Sequence, residues 1–284
     1  TMAIPGILRS DASSLIPEPV VQMLFEGATA ESAALAQFLR VPVPAQRQTF
    51  PVLQGLPAAF WKDSDTSLIP TTKIDWQNRA IELRELAVIV PIPNVVVADS
   101  QFDIWGQVRP MLSSAMARAI DAAVFFGIGA PAMFPTAIVP AATAAGNTRS
   151  RTAAAAQGGI AEDLNQAMAL VEADGYSPSG FFFPTAQKSR LRGARGTDGQ
   201  KLLDVADNSI EGLPVAYGMA GMWTTGTDNA EGIVYDRTKF VLGLRNDISF
   251  ELSKEATIHD ANGNVLYNLF QQDMMALKVT MRMG

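Results

Sequence analysis

The sequence predicts an α+β fold, and three observations carry that prediction. Helical and strand-like stretches follow one another without a regular βαβ beat. Residues 101–126 carry apolar residues at helical spacing, the longest such run in the chain. From residue 232 onward the sequence reads as successive strands.

The elements follow in order. Residues 1–17 hold Pro5, Gly6 and Pro17 with little periodicity and read as an extended arm. "EPVVQMLFEGA" puts Val20, Val21, Leu24 and Phe25 on one helical face, and "ESAALAQFLRV" does the same with Ala34, Leu35 and Phe38. Pro42 and Pro44 are expected to stop that second helix. Residues 46–54 and 73–83 alternate in strand fashion and flank a stretch punctuated by Gly55, Pro57 and Pro70. They predict a two-stranded excursion with its tip near residues 58–70. "LAVIVPIPNVVVADS", broken by Pro91 and Pro93, suits an edge strand, after which Asp99 or Ser100 offers a helix cap.

In the long helix, Ile104, Val108, Leu112, Ala115, Ala119 and Ala122 form the expected buried face. Pro110 is expected to kink it, and Gly127 and Gly129 to end it. Residues 130–159 are rich in Ala, Gly, Thr and Pro and read as loop. "GGIAEDLNQAMALVEADGY" predicts an amphipathic helix through Ile160, Leu164, Ala167, Met168 and Val171. "SGFFFP" reads as a buried strand, "TAQKSRLRGA" as a helix, "RGTDGQKLLD" as a charged loop and "EGLPVAYG" as a turn and strand. Residues 232–252 predict two strands. "NVLYNLFQQDMMALKVTMRMG" begins as helix or extended chain and ends as strand.

Composition narrows the function. The 284 residues suffice for one large domain or two modest ones. Hydrophobic residues make up 48% but charged ones only 18%, which hints at surface covered by other chains. A net charge of −6 argues against a dedicated nucleic-acid reader, which would carry a basic face. There are no cysteines and one histidine, so disulfides, thiolate chemistry and multi-histidine metal sites within one chain are excluded. No apolar run is long enough to span a bilayer, and "TMAIPGILRSDASS" lacks the pattern of a signal peptide.

Candidate chemistry is sparse. His259-Asp260 sits in "HDANGN", a turn, and lacks an evident third group to orient a base. Asp63 with Asp65, and Glu162 with Asp163, form no glycosidase or metal pattern and read as solvated charges. Gly127-Ile128-Gly129 follows a helix, whereas a phosphate-binding loop follows a strand. No cofactor is expected, and the chain reads as a non-enzyme. Two surface features remain. Phe60, Trp61, Lys62, Leu68 and Ile69 lie on the excursion, where large aromatics need a partner to cover them. Arg190, Arg192, Arg195 and Lys201 cluster around Gly193, Gly196 and Gly199 as a solvated loop or an inter-subunit contact.

The order of parts resembles the major capsid protein of tailed bacteriophages with the Hong Kong 97 fold, over essentially the whole chain. "IELRELAVIVPIPNVVVADSQFDIWGQVRPMLSSAMARAIDAAVFFGIGAP" is similar to that family's passage from extended loop to spine helix. "GYSPSGFFFPTAQKSRLRGARGTDGQKLLD", then "IEGLPVAYG", is similar to its apical region. "FVLGLRNDISFELSKEA" and "NLFQQDMMALKVTMRMG" are similar to its closing strands.

The resemblance implies residues 1–45 as N-terminal arm and short helices, and 46–84 as extended loop. It implies 85–150 with 238–284 as peripheral domain with spine helix, and 151–237 as axial domain. It further implies a structural subunit that self-assembles into hexamers and pentamers of an icosahedral head around double-stranded DNA. Phe60, Trp61, Lys62, Leu68, Ile69, Arg190, Arg192 and Arg195 become subunit-interface candidates. Portal, scaffold and decoration proteins are the other implied partners, and DNA would be contacted non-specifically. No membrane partner is implied. The protein would reside in the virion after assembly in the host bacterial cytoplasm. Some members of that family cross-link a loop Lys to an Asn with help from a Glu. Lys62, Lys73, Asn268 and Asp273 are the nearest equivalents, and they favour non-covalent assembly. An encapsulin-like compartment shell and a soluble enzyme with a carboxylate-based site remain as alternatives.

Overall fold

Five strands centred on the "GFFFP" run and four strands around the C-terminal strand share one hydrophobic core with a long helix. The computed structural model describes residues 32–53, 55, 57–62, 64, 68–99, 104–132, 134–154, 158–201, 203, 205–206, 208–218, 223 and 230–284. The expected arm, the helix over Val20–Phe25, Ser100 and the pair Asp63 and Asp65 lie outside the described residues.

Helix α1 (Ala33–Gln37) starts at Ser32, whose Oγ accepts from the Leu35 N–H. It ends at Phe38, well before Pro42. The following residues form β1 (Leu39–Pro42), an edge strand parallel to β10 (Val241–Ser253). The expected continuous helix therefore gives way to a strand, because a partner far along the chain offers β1 a ladder. The excursion is built as expected from β2 (Arg47–Leu53) antiparallel to β3 (Trp76–Glu82). β4 (Arg84–Pro93) is an edge strand, which suits Pro91 and Pro93. The four-stranded sheet runs β1-β10-β13-β4, with β13 (Met274–Met283) antiparallel to both neighbours.

Asn94–Asp99 is itself helical (α2), so Asp99 does not cap the long helix. That helix, α3 (Ile104–Asp121), runs through Pro110 and continues as a π-helical turn, Ala122–Phe126, before Gly127 closes it with a φ of 73°. Its buried side is not the one predicted. Ala115 and Ala119 are exposed, and Leu112, Ser113, Met116, Ala117 and Ile120 are buried. Alanine is apolar but small, and the larger Met116 and Ile120 decide which face turns inward.

Residues 130–159 are not all loop. α4 (Ile138–Ala145) places Pro140 in its first turn, where the missing N–H has no intrahelical partner. α5 (Gly159–Ala173) packs Ile160, Leu164 and Met168 on the second core, as predicted. β5 (Gly180–Pro184) is fully interior, and a short 3₁₀ turn leads into α6 (Lys188–Arg192). The second sheet adds β6 (Val205–Ala206), β7 (Ser209–Ile210), β8 (Leu213–Gly218) and β9 (Ile233–Tyr235) in the order β6-β7-β8-β5-β9, with β5 and β8 parallel. β11 (Thr257–His259) and β12 (Val265–Asn268) form a separate hairpin.

Alternation across β5 splits its phenylalanines between two cores. Phe182 faces the main core and stacks on Phe125 at 4.1 Å, while Phe181 and Phe183 face the second core under α5. Burying each such ring is worth roughly 1.5–3 kcal/mol. The excursion's root is seated on the four-stranded sheet. A Cβ at Gly243 would lie 2.5 Å from Ile81 Cγ2 and 3.1 Å from Val43 Cγ2, so only glycine lets β3 approach so closely.

Candidate assembly interface

β2 and β3 pair from Arg47 opposite Glu82 to Leu53 opposite Trp76. Only the root is buried, at Leu83, and Arg47 pairs with Glu82 at 3.4 Å on its surface. Beyond Leu53 the chain leaves the ladder and returns at Trp76. The Thr72 hydroxyl donates to the Ala58 carbonyl at 2.9 Å and ties the two arms together, and Lys73 pairs with Asp75 at 3.0 Å. The tip is the most exposed apolar surface described. Trp61 is 97% exposed, Leu68 94% and Ile69 69%. Phe60, Ile74, Trp76, Val52 and Leu53 are exposed as well. A two-stranded ribbon is marginal in water on its own, and this one presents its large side chains to solvent on both arms.

The second candidate group lies on other elements. Arg190 and Arg192 are in the last turn of α6, where basic residues suit the helix dipole. Arg190 approaches Glu231 at 3.7 Å; Glu231 also pairs with Arg151 and accepts from Gln187 Nε2 at 3.2 Å. Burial pushes the Tyr217 hydroxyl up from its ordinary range, and the nearby Arg192 charge partly offsets that. Lys188 lies over the Tyr217 ring at 4.8 Å. Arg195 and Lys201 bridge the base of a tight loop. These residues are structurally engaged at their bases yet exposed at the surface.

Sequence reasoning missed one surface. The β11–β12 hairpin exposes Val265, Leu266 and Tyr267, and Phe270 just beyond is 76% exposed. The signal was present, because "NVLYNLF" follows the turn "HDANGN" and alternates like a strand. The ambiguity between helix and extended chain hid it.

The weaker chemical readings resolve into structural roles. The Asp260 carboxylate closes its turn, accepting from the Asn262 N–H at 2.9 Å, the Asn264 N–H at 2.8 Å and Asn264 Nδ2 at 3.1 Å. Those bonds, the Asn264 side chain first, hold its pKa below the ordinary carboxylate value. Asp163 is not a solvated helix charge. It is buried and accepts weakly from the Thr152 and Ala153 N–H groups at 3.4 and 3.3 Å, with Arg149 at 3.9 Å. It lines a cleft of about 990 Å³ between α4 and α5, where it holds the preceding segment in place. Among the described residues no group of three His, Asp or Glu side chains could hold a metal ion, and no helix is long and apolar enough to cross a membrane. The Asn268 side chain accepts from the Gln271 N–H at 3.3 Å, and Asp273 accepts from Asn94 Nδ2 at 2.6 Å.

Comparison with known proteins fits this arrangement. A sequence profile of the phage capsid family matches residues 12–284. The chain is 24% identical over 248 residues to the major capsid protein of Staphylococcus phage 80alpha, spanning 86% of this chain and 72% of that protein. It superposes on a solved structure from Microbacterium phage Oxtober96 with a TM-score of 0.76 and 35% identity, covering 98% of this chain and 92% of the other. A structure from Mycobacterium phage Cain gives a TM-score of 0.76 at 29% identity, over 98% and 91%. The capsid of an empty GTA particle shares the fold, with a TM-score of 0.61 at 18% identity. The likeness drawn from the order of parts thus holds along the sequence and in three dimensions, and the chain belongs to the phage capsid family.

Proposed function

We propose that this chain, a structural subunit of a phage capsid shell, assembles by non-covalent contacts into the hexamers and pentamers of an icosahedral head of the Hong Kong 97 type. The observation that carries this reading is the excursion. Trp61, Leu68 and Ile69 stand in solvent on a ribbon that the subunit itself does not cover. In a shell the ribbon lies across a neighbouring copy, and these side chains become interface anchors, with Phe60 and Lys62 beside them. Large aromatics are enriched at such contacts.

In this reading residues 46–84 are the extended loop. Residues 85–150 with 238–284 are the peripheral domain, and 151–237 the axial domain. Residues 1–45 are the N-terminal arm and its helices. Arg190, Arg192 and Arg195 meet neighbouring copies or negative charge near the capsomer axes. The acidic balance of the chain, −6, suits a container for densely packed double-stranded DNA, since a strongly basic lining would resist its passage. Portal, scaffold and decoration proteins would join the shell during assembly in the host bacterial cytoplasm.

Light scattering and negative-stain electron microscopy of the purified chain test the proposal. The expected result is closed shells, or rings of five and six copies. A compact monomer or dimer at every concentration would overturn it.

A further inference from the structure

Helix α1 straddles the point where α3 changes its hydrogen-bond register. α3 keeps α-helical register through Asp121, and the next residues, Ala122–Phe126, form a π turn. Such a turn inserts one extra residue into a helix, and it recurs at functional positions.

Residues 32–38 touch both sides of this junction. On the α side, the Asp121 carboxylate accepts from Ser32 Oγ at 2.7 Å, the Ala33 N–H at 3.0 Å and the Ala34 N–H at 3.0 Å. Ser32 and Asp121 are both buried. On the π side, the Phe38 ring lies 5.7 Å from Phe125, which in turn stacks on Phe182. Loss of the extra residue would turn everything beyond it by about 100° relative to Asp121, since a helix has about 3.6 residues per turn. Phe125 would leave both Phe182 and Phe38. α1 can hold Asp121 with one end and Phe125 with the other only while the π turn is in place.

We propose that α1 is a splint that fixes the π register of α3, so that docking of the chain's N-terminal part is transmitted to the turn at Gly127 and to α4. The path is contiguous. A Cβ at Gly127 would lie 3.3 Å from Ala137 Cβ, the residue that begins α4, and Val139 shares the core of Phe38 and Phe125. Loosening either end of the splint frees the far end of the long helix while the sheets stay intact.

The test is hydrogen–deuterium exchange of the full-length chain, with wild type, Ser32→Ala and Phe38→Leu compared in the same assembly state. Ser32→Ala removes a hydrogen bond to Asp121 and the cap of α1, and Phe38→Leu removes the ring contact at the other end. Both are expected to speed exchange of residues 123–130 by about tenfold or more while β10 and β13 exchange as in wild type. Exchange of residues 123–130 within about threefold of wild type in either variant overturns the proposal. So does acceleration there that is matched by β10 and β13, which would mark a global loss of stability.

Discussion

Replacing Trp61 by Ser separates subunit stability from shell assembly. The side chain is 97% exposed, so the subunit loses almost no packing and its unfolding free energy should change by less than about 0.5 kcal/mol. The assembled state should lose much more. A tryptophan contributes about 150–250 Å² of contact area. At about 25 cal/mol per Å² its full burial on a neighbour is worth about 4–6 kcal/mol gross. Association and side-chain ordering consume part of that, and a central interface residue typically retains about 2 kcal/mol or more. Each copy contributes one such residue, so a loss of about 2 kcal/mol raises the concentration needed for assembly about 30-fold. Light scattering across a dilution series reads that threshold, and thermal denaturation of unassembled subunits reads stability. Assembly at the wild-type threshold would refute the anchoring role. A markedly lower melting temperature of the subunit would refute it differently, by showing that Trp61 packs on its own chain.

Other expectations follow from the interior. Gly243→Ala drives a methyl toward Ile81 and Val43, and should cost about 1–3 kcal/mol in thermal or denaturant unfolding; a neutral result would mean that the excursion's root repacks freely. Phe182→Ala removes a fully buried ring stacked on Phe125 and should cost about 3–5 kcal/mol by the same measurement. Burial pushes the Asp121 carboxyl above its ordinary value of 3.8, against the opposing pull of its hydrogen bonds from Ser32, Ala34 and Ala33. A raised folded pKa means that the folded state binds the proton more tightly. Stability from this group is therefore fully present below the unfolded value and is lost as pH rises through the folded one. Unfolding measured from pH 3.5 to 7 should show that slope in wild type and not in Asp121→Asn; equal slopes would assign the pH dependence elsewhere.

The parts of this molecule that were legible in the sequence are those with local causes. The excursion announced itself through Gly55, Pro57 and Pro70 between alternating stretches, with aromatics where a loop should be polar. The "GFFFP" strand was visible as a short apolar run, and β4 as an edge strand through its prolines. The misses have non-local causes. β1 is a strand because β10 lies beside it, a pairing of Leu39 with Val241 that no local pattern encodes. The buried Asp163 depends on the backbone of Thr152 and Ala153 folding over it. α4 was hidden because Ala, Thr and Pro read as loop, although Pro140 falls where a helix tolerates it. In α3 the alanines suggested the wrong face, and only packing shows that Met116 and Ile120 turn inward. The contact of Ser32 with Asp121 spans the whole excursion and the long helix, and neither residue signals it alone.

A reconstruction of purified particles by electron cryomicroscopy tests the central claim most directly. The account predicts a closed shell of fives and sixes in which Trp61 and Leu68 of each copy are buried against a neighbouring copy. A shell in which those side chains remain in solvent, or fold back onto their own subunit, would contradict it.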